Sequence, residues 1–289
     1  MNPSPRLGLS LDAALAALLA RMTEAIGEAG FCDAALDLLG AVCMADSGGA
    51  MLFFRDQRPR RLLHRFNPAE RSLPEASYLE GPYALDPMYQ RFLAGAGSGV
   101  YWLRDIAPDD FFASEYHRQF YSRIGLSDSI DMVWRIDEDS ALLFFIERSA
   151  RHPGFVAADV MALELVRPIV AAASARHLAL THASSGPEAD TLTHRKVQST
   201  IDHFARSLLT QREREVLFHM ISGYSAAATA ERLATSEGTI KIHRKNIHRK
   251  LDIGSQAELF SLFIQCIPFA TPDAPRDPLQ AYQSKPAKA

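Results

Sequence analysis

Apolar residues recur along the chain with two different periods. Between Leu9 and about Ala29, Leu11, Leu15, Leu18, Leu19, Met22 and Ile26 repeat at helical spacing, and Leu36, Leu39, Val42 and Cys43 carry a second helix over about 33–44. Ser47-Gly48-Gly49 marks a turn. Ala50–Phe54 and Arg61–Phe66 read as strands joined through Asp56–Pro59. After a stretch broken by Pro68, Pro74 and Pro82, Asp86-Pro87 opens a short helix to Leu93, with Asp as cap and Pro in the first turn. Val100–Leu103 reads as a third strand and Asp109–Ile124 as an aromatic helix ended by Gly125. Ile130–Ile136 and Ala141–Ile146 form a strand pair, and Phe155 to about Leu180 is a long helix.

That order predicts an α+β domain at 1–180 with a mostly antiparallel sheet, of the GAF- or PAS-like sensor type, behind a loose leader at 1–8. A linker is expected at 181–199, its clearest signal being Ser-Ser-Gly-Pro at 184–187 inside Thr181–Asp190. Beyond Asp190 the chain reads as helical to Pro268. An all-α, four-helix domain is expected at 200–267 and a disordered tail, rich in Pro, Ala and polar residues, at 268–289.

The second domain carries dense punctuation. Thr210-Gln-Arg-Glu213 is a capping box, Gly223 a C′ residue, and Ser225 and Ser236 are caps on either side of a short turn at Thr235. The helix opened by Ser236 buries Ile240, Ile247 and Leu251 on one side. Lys241, Ile242, Lys245 and Arg249 project on the other. A short turn between two such helices is a helix-turn-helix arrangement.

Charge sharpens this picture. Net charge is −3, yet residues 195–251 hold 11 Lys/Arg against 5 Asp/Glu, while the remainder holds 20 against 29. A basic module on an acidic body fits local phosphate binding. The three cysteines, Cys32, Cys43 and Cys266, form no C-x-x-C pair and no even framework, which fits a reducing compartment. No signal peptide or membrane-spanning run is found, so a cytoplasmic protein without a membrane partner is expected.

Leu209-Thr-Gln-Arg-Glu-Arg-Glu-Val-Leu217, Gly223-Tyr-Ser225, Ala230, Leu233, Ser236-x-x-Thr-Ile-Lys-x-His243, Asn246-Ile247 and Lys250-Leu251 together resemble the LuxR-type helix-turn-helix. The resemblance spans roughly 205–265 and implies a transcriptional regulator that binds pseudo-palindromic double-stranded DNA as a homodimer. It implies base contacts from Lys241, Ile242 and Lys245, with Ser225, Thr239, His243, Asn246 and Lys250 at or near phosphates. Arg249 joins this DNA-binding set from its place on the cationic face. The family pairs protomers through its fourth helix, so Leu259, Leu262 and Phe263 are either core or dimer seam. The chain departs from the family at Ala226-Ala-Ala-Thr229, Thr235 and Gln256. Thr at a buried position is tolerable if its hydroxyl bonds back to the preceding turn.

The front domain has no phospho-receiver pocket and no nucleotide loop; Gly95-Ala-Gly-Ser-Gly99 lacks the Lys and preceding strand of a phosphate cradle. It is instead dense in aromatics, which line a small-molecule pocket or form core. Tyr78, Asp86-Pro87 and Trp102 loosely resemble the landmarks of autoinducer-binding domains, where the Asp accepts from the amide of an acyl-homoserine lactone. The family's upstream Trp is missing at Ser72-Leu73-Pro74. Tyr78, Tyr83, Asp86, Trp102 and Tyr116 are therefore the candidate ligand-binding residues, for an acyl-homoserine lactone or another small apolar compound. Asp86 has a second reading as a plain helix cap. Ser114, Glu115, His117 and Asp128 do not form a nucleophile arrangement, and His243 and His248 lack further ligands at metal spacing. No enzyme activity, cofactor or metal is expected. The competing reading is a constitutive DNA-binding regulator whose front domain serves only dimerisation or protein–protein contact.

Overall fold

The computed structural model describes residues 12–65, 76–181, 189–274 and 276–284. The leader at 1–8, the Ser72–Pro74 departure and the Ser-Ser-Gly-Pro of the linker lie outside them.

Helices α1 (Ala13–Glu24) and α2 (Phe31–Cys43) precede β1 (Ser47–Phe54) and β2 (Arg60–Arg65). Three short helices follow: α3 (Ala76–Leu79), α4 (Pro87–Leu93) and, after β3 (Gly99–Trp102), α5 (Leu103–Ile106). Then come α6 (Glu115–Phe120), β4 (Leu126–Arg135), β5 (Ser140–Ser149) and the long α7 (Ala157–Thr181). The strands form one antiparallel sheet in the order β2-β1-β5-β4-β3. Strand alternation gives this sheet two apolar faces. Ala50, Leu52, Ile130, Met132, Leu142 and Phe144 pack with α1, α2 and α7. Met51, Phe53, Val133, Ala141 and Leu143 face Tyr83, Tyr89, Phe92 and Tyr116.

Gly49 sits under the ring of Phe145, its partner on β5. A Cβ there would lie 2.2 Å from the ring and 2.4 Å from the Leu63 carbonyl oxygen, so only glycine fits.

The expected aromatic helix at 109–124 is not one helix. A 3-10 turn at Phe111–Ala113 precedes α6, and another at Ser122–Ile124 follows it. Ser114 starts α6 afresh by accepting the His117 N–H at 3.1 Å, and Gly125, at φ +77°, ends the run. The aromatic residues anchor separate turns instead of sharing one stripe.

Helix α8 (Ala189–His203) begins inside the stretch expected as linker at 181–199, as the helical reading beyond Asp190 has it. Val197 and Thr200 are fully buried, so α8 packs through only part of a sequence whose Thr, Ser and His content reads as polar. Helices α9 (Gln211–Ile221), α10 (Ala226–Arg232), α11 (Glu237–Leu251) and α12 (Gln256–Cys266) complete the helical domain.

Within the tail expected to be disordered at 268–289, the described residues 268–274 and 276–284 are ordered. They include α13 (Pro278–Gln283), with Leu279 buried. Asp277 accepts from the backbone N–H groups of Ala205 at 3.0 Å, Ser207 at 2.9 Å and Leu279 at 3.0 Å. Ala205 has φ +56°, an uncommon left-handed conformation for alanine that this long-range acceptor holds in place. Among the described residues, no helix is long and apolar enough to cross a membrane.

Candidate nucleic-acid interface and sensor-domain cluster

Each helix of the C-terminal unit starts where its sequence places a cap. Thr210 and Glu213 make a reciprocal capping box on α9. Ser225 accepts from the Ala228 N–H at 3.0 Å and Ser236 from the Thr239 N–H at 3.1 Å. Gly223 adopts φ +87° as α9 ends. Thr229 is fully buried, and its hydroxyl donates to the Ser225 carbonyl at 2.6 Å, which accounts for a threonine at that departure. Gln256, another departure, donates to the Met220 carbonyl at 2.5 Å and ties α12 to the end of α9.

On α11, Ile240, Ile247 and Leu251 are buried. Lys241, Ile242, Lys245 and Arg249 are exposed. Ile242 keeps 63% of its surface accessible between lysines, where it shares no core. Lys241 pairs with Glu237 one turn earlier at 2.7 Å. Thr239 shares a hydrogen bond with Ser236, and Arg249 donates to Asn246 at 3.4 Å. His243 is half-buried, with Nδ1 lacking a hydrogen-bond partner among the described residues.

Lys250 differs from the others. Its Nζ lies 2.7 Å from the buried Glu213 carboxylate and so engages its own domain. Sequence reading passed over Arg244, which donates to the Tyr224 carbonyl at 2.6 Å and holds α11 to the loop before α10. Its place beside the buried stripe was the available signal.

The front domain touches this unit directly. Asp110 donates its N–H to the Gly223 carbonyl at 3.0 Å, and the Asp109 carboxylate accepts the Ser225 N–H at 3.0 Å. A Cβ on Gly223 would stand 2.9 Å from Phe111 Cα. Tyr116 of α6 meets Phe260 of α12 edge-on at 6.4 Å. Leu259 and Phe263 are fully buried, which makes them core. One apolar cluster runs from the sheet face into the helical domain.

The front-domain candidates separate into three places. Asp86 is both cap and hub: it accepts from Met88 N (2.8 Å), Tyr89 N (3.2 Å), Tyr78 Oη (3.2 Å) and Tyr116 Oη (3.0 Å). Burial raises its carboxyl above the usual range although all four bonds oppose that shift. Tyr83 lies apart, its hydroxyl 3.1 Å from His194 Nδ1 on α8. Burial lowers the pKa of that imidazole.

Trp102 is on the opposite face of the sheet. Its Nε1 donates to Asp128 at 2.9 Å, and the Arg104 guanidinium stacks 3.7 Å from its ring. Strand alternation turns Tyr101 toward the Tyr83 side and Trp102 toward α1, α2 and α7. The family resemblance therefore grouped Trp102 with Asp86 where the pleat separates them. The acids missed on the Asp86 side are Asp131 and Glu147. The signal was an acid inside the apolar run Ile130–Val133, at the parity that faces Asp86.

The family model described as bacterial regulatory proteins, luxR family, matches residues 207–263. An Aeromonas salmonicida protein named as the HTH-type transcriptional regulator in exeN 3'region is 27% identical over 184 residues, covering 62% of this chain and 93% of that protein. The nitrate/nitrite response regulator protein NarP of Escherichia coli (strain K12) is 41% identical over 59 residues, 20% of this chain and 27% of NarP. In fold, the VqsR LBD domain from Pseudomonas aeruginosa covers 58% of this chain and 99% of its own, with a TM-score of 0.52 at 24% identity. The capped helices, the open cationic face of α11 and the match over the same residues lead to one conclusion: the chain carries a LuxR-family helix-turn-helix DNA-binding domain at 207–263.

Proposed function

We propose that the chain binds a pseudo-palindromic DNA site as a homodimer and that a small-molecule effector held by the front domain controls this binding. The observation that carries the DNA reading is the exposed face of α11, where Ile242 stands in solvent beside Lys241 and Lys245. An aliphatic tip suits a thymine methyl, and the lysines suit guanine O6/N7 in the major groove. Ser225, Thr239, His243 and Asn246 then flank the phosphates, with Arg249 at the rim. Lys241→Ala and Lys245→Ala should each weaken specific binding by about 1–3 kcal/mol in a shift assay at physiological salt. Unchanged binding by both variants would remove the base-contact assignment.

The control reading is supported by the interdomain contacts. Asp109 occupies the N–H of Ser225, a group suited to a phosphate, and α12 packs against α6. An effector that shifts α6 or the Asp109 loop would change the availability of α10 and α12. Under this reading the front domain comprises about 1–180 and the DNA-binding unit about 200–267, with α13 as its brace.

A second reading is favoured by Met161, Leu165 and Ile169. They form an i, i+4, i+8 stripe on α7 that is 42%, 52% and 48% exposed. A second copy of the chain fits such a stripe, and a constitutive dimer would then need no effector. Leu165→Glu should yield monomers in sedimentation if α7 pairs the copies. DNA affinity that ignores every small molecule carried through native purification would favour this second reading over the sensor.

A further inference from the structure

The sheet face that carries Asp86 also carries two further acids. In register, Asp131 of β4 opposes Phe145 of β5, and Ser129 opposes Glu147, all on the same pleat parity. Asp131 is 7% exposed, yet its side-chain carboxylate makes no hydrogen bond with any described residue. Its neighbours differ. Asp86 accepts the four bonds described above, and Glu147 accepts from Ser47 Oγ at 3.2 Å. Among the described residues, no donor reaches the ionised Asp131 carboxylate. Buried polar groups without partners are rare in native proteins and call for a stated cause.

The surroundings exclude several causes. Burial first, then the charges of Asp86 and Glu147, push the Asp131 carboxyl well above the usual range. Asp131 lies on the sheet face that carries the Asp86 hub, close enough to Tyr78 and Tyr121 for its charge to raise their hydroxyls. An anionic ligand is repelled by this ring of acids. A purely apolar ligand leaves Asp131 as unsatisfied as before. Among the described residues, no three His, Cys, Asp or Glu side chains converge as metal ligands, so a bare metal ion does not fit. Tyr78 and Tyr121 are only half-buried and can offer ring faces to a cation.

We propose that the effector site accepts a small organic cation, a protonated amine on an apolar body, with Asp131 as its charge partner, Asp86 and Glu147 beside it and the tyrosine rings as walls. This rests on the reading of the front domain as a sensor and departs from the neutral acyl lactone or apolar compound expected from sequence.

The test uses the full chain at pH 7.5 with 4-phenylbutylamine as the cationic probe. 4-Phenyl-1-butanol and N-octanoyl homoserine lactone serve as neutral probes. Calorimetry and thermal melts should show binding of the amine, at least tenfold weaker binding of the alcohol, and at least tenfold loss of amine affinity in Asp131→Asn. Asp131→Leu without ligand should melt above the wild type, because a dissatisfied carboxyl is replaced by an apolar side chain. A lower melting point for Asp131→Leu would mark Asp131 as structural and overturn the proposal. Stabilisation by a neutral probe, equal in wild type and Asp131→Asn, with no amine binding, overturns the cation but keeps the sensor. No binding by any probe, with nothing small carried through native purification, removes both.

Discussion

Lys250→Met separates two roles for one side chain. The family resemblance places Lys250 at a phosphate, whereas in the folded chain its ammonium lies 2.7 Å from Glu213 Oε2. That oxygen also accepts Thr210 N at 2.8 Å and Thr210 Oγ1 at 3.0 Å, so three donors converge on it. A hydrogen bond to a charged group contributes roughly 1.5–3 kcal/mol. The Lys250 side chain is 29% exposed and Glu213 keeps two donors after the substitution, so the loss should fall near the low end, about 1–2 kcal/mol. In a domain-sized unfolding unit this corresponds to a fall in Tm of roughly 2–8 °C.

Burial alone would raise the Glu213 carboxyl, but the bonds from Lys250 and Thr210 outweigh it and hold it below its usual range. A depressed carboxyl contributes stability above its unfolded value of about 4.3 and loses it as pH falls through the folded value. The gap between wild type and variant should therefore be full at pH 7 and shrink below about pH 4. Thermal melts at several pH values, paired with DNA binding against salt, measure both roles. An unchanged Tm together with a salt slope shallower by about 0.9 would show that Lys250 serves a phosphate instead.

Three further outcomes are expected. Asp277→Ala should cost about 2–3 kcal/mol in urea melts, because it strips acceptors from the N–H groups of Ala205, Ser207 and Leu279; a change under 0.5 kcal/mol would mean the terminal helix contributes nothing. Asp109→Ala should raise DNA affinity about two- to fivefold in an anisotropy titration, the effect of releasing one exposed charge-assisted contact on Ser225, and no change would show that this contact does not compete with DNA. Burial pushes the Cys32 thiol up to about 11 and those of Cys43 and Cys266 up to about 12. At pH 8 the native chain should thus react with a thiol reagent far more slowly than in denaturant, and rapid native labelling would contradict their burial.

Local chemistry was legible wherever a short segment decides its own conformation. Thr210, Ser225 and Ser236 cap helices because a side-chain oxygen three residues ahead of an N–H needs no tertiary partner. Gly223 and Gly125 end their segments at positive φ for the same local reason. The apolar stripe of α11 was equally plain, since Ile240, Ile247 and Leu251 recur at the helical period.

What failed to show was everything that depends on a distant partner. The stretch from Asp109 to Ile124 carries a helical composition, but Phe111 docks beside Gly223 and Ser114 restarts the helix. The terminal segment looks too polar to fold by itself. It folds because Asp277 reaches Ala205, 72 residues earlier, and Leu279 enters an existing core. Trp102 and Asp86 are near in sequence, but Asp86 caps α4 over one face of the sheet while the pleat of β3 turns Trp102 to the other.

By itself, then, the sequence determined the order of the strands and longer helices, the starts of α9, α10, α11 and α12 and the cationic face of α11, since caps and periodicity act within a few residues. Only the tertiary structure decided that Lys250 serves Glu213, that Leu259 and Phe263 are core, and that the Asp131 carboxylate stands near Asp86 with no hydrogen bond from a described residue. Each of these depends on which surfaces the folded chain brings together and removes from water, and that is a property of packing across the whole molecule.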